Sequence, residues 1–223
     1  MLVSLLTKEL RCLVRARSWP VGLLVFALVL VVLASFAFRQ IGYGQEDLRQ
    51  LTPGILWIIF LFCGIVALNY SFLPEEEFGA MQGLLLTRAD AGSMYLAKFL
   101  VNFVFLFFVQ ALVIALHGML FGVELFGVYF PLLALTAAVA FGFTALGTLL
   151  SAIAVAVRGR ELILPLILFP LSLPQLAAAV FLTGTVLETG SLPLGGFWFL
   201  LVAAFDVISI TLSYSLFEFV VRE

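Results

Sequence analysis

The chain has 223 residues, of which 64% are hydrophobic and only 11% are charged. An ordinary soluble domain is about a quarter charged, so this composition excludes a soluble globular protein that hides its apolar residues in one core. The formal net charge of −2 says little by itself, because in a membrane protein the position of each charge matters more than the sum.

Residues 1–18 are amphipathic. Lys8, Arg11 and Arg15 recur at helical spacing as a basic stripe, with Arg17 just beyond, and Leu2, Leu6, Leu10 and Leu13 form an apolar stripe turned away from it. This pattern predicts a helix lying in the membrane interface with its cations near anionic headgroups. A positive flank that happens to be helical would look the same, and both readings place the segment on the cytoplasmic surface. No signal peptide is expected, since the segment is not an apolar run and no small-residue cleavage site ends the first span.

A helix needs roughly 20 apolar residues to cross the hydrocarbon core. Six segments reach that length: residues 20–38, 54–73, 98–121, 126–157, 162–182 and 197–221. The fourth is overlong, which predicts tilt or extension beyond the bilayer. The breaks between spans are short and rich in turn formers, and they leave no room for a soluble domain. The fold class is therefore all-α, a single polytopic membrane domain over residues 1–223 with six transmembrane helices. With the N-terminus inside, Lys8, Arg11, Arg15, Arg17, Arg88, Lys98, Arg158, Arg160 and Arg222 lie in or beside cytoplasmic segments. Only Arg39 and Arg49 lie outside. That bias predicts both termini in the cytoplasm.

The longest cytoplasmic connection, residues 74–97, carries an element of its own. Pro74 suits a first helical turn, and Glu75, Glu76 and Glu77 follow where the helix dipole favours anions. Phe78, Met81 and Leu85 then share one face, with Leu84 beside them. Residues 87–92 read as a turn, and Ser93 is placed to cap the next helix. The short amphipathic helix so predicted suits a groove on a partner, or equally a lipid surface.

At this loop the sequence resembles a family. Ile55-Leu56-Trp57 with Leu68, Phe72, Glu75, Gly79, Leu84 and Leu85 is similar to the second span and first cytoplasmic loop of CcmB, the permease subunit of the cytochrome c maturation ABC transporter. Lys8-Glu9-Leu10-Arg11 with Arg15 and Arg17 resembles that family's basic N-terminal helix, and Leu164-Pro165-Leu166 with Pro170 and Pro174 resembles its proline-rich fifth span. The resemblance covers nearly the whole chain. It implies two permease copies on two CcmA-like ATP-binding-cassette subunits, which hold ATP and magnesium, with residues 75–86 as the coupling helix. It also implies CcmC, CcmD and the heme chaperone CcmE as partners, membrane lipid as the surroundings, no nucleic acid, and residence in the bacterial inner membrane. Heme is then a possible substrate of the complex rather than a cofactor held firmly by this chain. The Glu-x-x-x-Gly element also occurs in other ABC-2 type exporters, so a permease for a lipid, polysaccharide or drug is the alternative. A membrane scaffold that transports nothing is another.

No catalytic or metal centre is expected. There is no phosphate-binding glycine loop and no His-Glu-x-x-His, and the two cysteines, Cys12 and Cys63, sit in environments too different to pair. His117, the only histidine, lies late in the third span and reads either as a heme ligand or as a helix–helix hydrogen bond. Asp206 is the only acid deep in a span, a position that suits a pathway, a subunit contact or a protonated structural carboxyl. Pro165, Pro170 and Pro174 predict a kink or break in the fifth span, serving as a hinge or as a simple bend. Residues 183–195 have the length of a re-entrant or surface helix on the periplasmic side. Phe103, Phe105, Phe107 and Phe108 read as span rather than as a cofactor box, and Trp19 and Trp57 as interfacial anchors.

Overall fold

A computed structural model describes residues 2–15, 18–40, 42–72, 91–155 and 160–222. Among them are seven α-helices: α1 (Leu2–Arg15), α2 (Ser18–Gln40), α3 (Gln45–Ser71), α4 (Ala91–Phe121), α5 (Tyr129–Val155), α6 (Arg160–Thr189) and α7 (Phe197–Arg222). All but α1 are long and apolar enough to cross a membrane, so the chain is a multi-pass membrane protein built wholly of helices in its described part.

Several boundaries differ from those expected, each for a local reason. The second span starts at Gln45 rather than near residue 54, because α3 continues through Pro53. Its first turn is closed by the Gly44 amide, which donates to Asp47 Oδ2 at 2.9 Å, and Glu46 and Asp47 sit where the dipole favours acids. The helix α4 is already formed at Ala91, so Ser93 lies inside it and is not its cap. The overlong fourth span is relieved by one 3-10 turn, Phe126–Val128, ahead of α5.

The fifth span also differs. The helix α6 runs through Pro165, Pro170 and Pro174 without the break that was one of the two expected outcomes, and Ser172 Oγ donates to the Phe169 carbonyl at 3.1 Å. It also runs past residue 182, so the expected re-entrant or surface helix over residues 183–195 gives way to two more turns of α6 and a short connection. Three threonines lie within this extension of the helix and satisfy their hydroxyls on it. Thr183, Thr185 and Thr189 each donate back four residues, at 2.8, 3.1 and 2.8 Å. Gly190, with φ +75°, then ends it.

The helix α5 lies in the middle, packed on α3, α4, α6 and α7. Its small residues allow this. A Cβ at Gly147 would strike the Leu68 side chain, and Ser151 Oγ donates to the Leu68 carbonyl. Phe143 fills the space beside Gly64, where a Cβ would come within 2.5 Å of its ring. In contrast, α2 and α7 turn apolar side chains such as Val21, Phe36, Val207 and Phe219 outwards, as lipid-facing helices do.

Trp57 corrects an expectation. It is 4% exposed and donates from Nε1 to Thr183 Oγ1 at 2.8 Å, so it joins α3 to α6 inside the bundle and anchors nothing at the interface. Trp19 is half-buried and stacks on Tyr70 at 5.7 Å. Cys12 and Cys63 are free thiols.

Candidate functional site

The expected coupling residues Glu75, Glu76, Glu77, Phe78, Gly79, Met81, Leu84 and Leu85 lie outside the described residues, as does Arg17. The two roots of their loop, however, are well placed: the end of α3 at Ser71 and Phe72, and the first two turns of α4. The last carbonyls of a helix have no partner in the helix itself, and here a side chain of the next helix supplies one. Lys98 Nζ donates to the Ser71 carbonyl at 2.8 Å and to Glu9 Oε2 of α1 at 3.0 Å. It also sits 4.5 Å above the Phe72 ring, a favourable place for a cation. One turn deeper, Asn102 Nδ2 donates to Ser71 Oγ at 2.9 Å and to Thr148 Oγ1 of α5 at 3.1 Å.

The second root is fixed from the other side. Tyr95, fully buried, donates its hydroxyl to the Ala145 carbonyl of α5 at 3.0 Å and packs 5.3 Å from the Phe217 ring of α7. Gly92 faces Tyr214 so closely that a Cβ there would come within 2.6 Å of its hydroxyl. Phe72 from the first root also meets Phe217, at 6.3 Å. Both ends of the loop are therefore tied to α1, α5 and α7.

The residues expected at the membrane interface differ in exposure. Arg11 and Arg15 are exposed and Lys8 is half-buried, pairing with Glu9 at 2.9 Å. Leu10 is 48% exposed, available to lipid. Glu9, Cys12 and Leu13 turn towards α4. The expected apolar stripe thus splits, with Leu10 outward and Leu13 against protein.

His117 and Asp206 occupy different junctions. The imidazole of His117 is wholly buried, 3.0 Å from Thr52 Oγ1 on α3 and stacked 4.0 Å from the Phe121 ring. This is the geometry of a helix–helix hydrogen bond, and a ligand could reach the ring only after α3 and α4 part. Asp206 of α7 accepts from Gln175 Nε2 at 2.9 Å, and that amide also donates to the Val139 carbonyl at 3.2 Å. Three helices meet there, next to Pro174. Pro165 and Pro170 take no part in either junction.

Sequence reasoning names Glu9 only within a motif and Lys98 only as a cytoplasmic cation, and it does not single out Asn102 or Gln175. A signal existed for Lys98, since an ammonium inside an apolar helix calls for a partner, but its position at the start of a span made it look like an ordinary positive flank.

The chain matches the family model described as CcmB protein over residues 1–222. It is 27% identical over 172 residues to heme exporter protein B of Pseudomonas aeruginosa, covering 77% of this chain and 75% of that protein. It is 26% identical over 182 residues to heme exporter protein B of Bradyrhizobium diazoefficiens, covering 80% and 79%.

Proposed function

Because the chain belongs to the CcmB family, a family of heme exporter permeases, we propose that it is the permease subunit of the cytochrome c maturation ABC transporter. In this reading it binds CcmA-like subunits, which hydrolyse ATP, and works as two copies in the inner membrane with both termini in the cytoplasm. Its motion is coupled to heme export or handling, or to release of the heme-loaded chaperone CcmE, beside CcmC and CcmD at the periplasmic face.

The observation that carries this reading is the family match over residues 1–222, which takes in every span and the loop after α3. The geometry supports it in a specific way. A coupling element must hand movement to the spans, and this loop starts and ends on helices bound together by Lys98 and Asn102, the second of them tied to α5 by Tyr95. Residues 75–86 are the proposed coupling helix, with Glu75, Glu76 and Glu77 at its start. Heme is a substrate in this scheme, ATP and magnesium sit on the partner, and no cofactor is held by this chain. His117 serves as a structural contact, and Asp206 joins three helices whose relative movement would accompany transport.

The test is purification of the tagged chain from its native membrane in mild detergent, followed by mass spectrometry. An ATP-binding-cassette subunit together with heme-handling membrane proteins is the expected result. An ATPase without them would favour an exporter of another substrate, and the absence of any ATPase would refute the coupling role.

A further inference from the structure

The helix α1 crosses nothing, packs chiefly against α4, and is followed at once by the first span. Its one acid, Glu9, turns inward with a side chain only 12% exposed, against a Lys98 side chain 7% exposed. Burying an ion pair costs desolvation that often cancels its attraction, and apolar packing would hold α1 in place as well. What the pair adds is position. The same ammonium that meets Glu9 also closes the end of α3 at the Ser71 carbonyl and covers the Phe72 ring, directly before the loop begins.

We propose that α1 is a latch on that loop, with Lys98 as its positioning residue. Glu9 fixes the ammonium and the ammonium fixes the last turn of α3, so the placement of α1 and that of the end of α3 determine each other. This inference rests on the reading of the loop as the coupling element. Force that the ATP-hydrolysing partner applies to the loop then reaches the membrane surface through α1 as well as the spans through α3 and α4. The latch can open without dissolving the bundle, because Asn102 holds Ser71 to Thr148 of α5 independently of α1.

Cys12 provides a reporter. It is a free, half-buried thiol that lines, with Glu9 and Lys98, a cleft of about 30 Å³ between α1, α3 and α4. In a Cys63→Ala background, the chain and its ATPase partner are purified together into nanodiscs. The rate of Cys12 alkylation by a polar maleimide is measured alongside ATP hydrolysis. Lys98→Met and Glu9→Gln are each expected to speed alkylation by about tenfold, as local opening does, and to lower coupled hydrolysis while the ATPase remains bound. Lys98→Arg, which keeps a cation with donors for both Glu9 and the Ser71 carbonyl, is expected to stay near the parent in both, which a merely structural loss at this position would not do.

Parent-like alkylation in both single variants overturns the latch. So does parent-like hydrolysis in variants whose α1 has opened, or a Lys98→Arg chain that inserts normally and yet behaves as Lys98→Met does. If the parent chain itself binds no ATPase, the transporter reading fails, and the alkylation arm alone decides whether the pair holds α1 to the loop root.

Discussion

The missing side chain of Gly142 on α5 is what admits the carboxyl of Asp206 from α7. A methyl group on that glycine would fall on Asp206 Oδ1 and within 2.8 Å of Gln175 Nε2. A glycine, an amide and an acid from three helices thus form one contact in the interior of the bundle.

Gly142→Ala is therefore expected to destabilise the protein by about 1–3 kcal/mol, the usual cost of overpacking a close contact. Thermal unfolding in detergent, followed by the loss of soluble monodisperse protein, should show a lowered midpoint. A midpoint equal to the parent's would mean that the three helices separate freely at this level.

Asp206→Asn keeps an acceptor for the Gln175 amide, whereas Asp206→Leu removes it. Interhelical hydrogen bonds in membranes contribute about 0.6–2 kcal/mol, so the leucine variant should be the less stable of the two by about that amount. Equal stability, measured by the same unfolding experiment, would remove the hydrogen bond from any structural role.

Trp57→Phe deletes the bond to Thr183 that joins α3 to α6 and should cost about 1 kcal/mol. Because Trp57 is buried and Trp19 and Trp198 are half-buried, its fluorescence should resist an aqueous quencher in single-tryptophan chains. Ready quenching of Trp57 would return it to the interface.

His117→Ala should retain substantial cytochrome c maturation, since the ring is fully enclosed and bonded to Thr52. Complete loss of maturation with the complex still assembled would revive the heme-ligand reading of the imidazole.

Glu75→Lys and Gly79→Trp should leave insertion and the six spans intact while the ATPase no longer co-purifies. Normal association and hydrolysis in both would take the loop out of its proposed role.

Much of this architecture is legible in the sequence because hydropathy is a local property. Six apolar runs are visible without knowing what any of them touches, and so is an amphipathic N-terminus. Contacts are different. Lys98 meets partners 27 and 89 residues away, and Trp57 meets one 126 residues away, which no window along the chain can reveal. The ends of α3 and α6 are harder to read for another reason, which lies in Pro53 and the threonines near the end of α6. Their propensities disfavour helix interiors, but in an apolar medium an unpaired backbone costs more than a poor propensity, so the helices continue through them.

The pairing of Glu9 with Lys98 also has a consequence for how the protein is made. The acid is synthesised 89 residues before its partner, and two whole spans, α2 and α3, must enter the membrane in between. Until α4 is made, Glu9 lacks Lys98, and of its two cationic partners in the finished protein only Lys8 is present. A nascent chain halted before Lys98 would have its first helix finished and its first helix unseated.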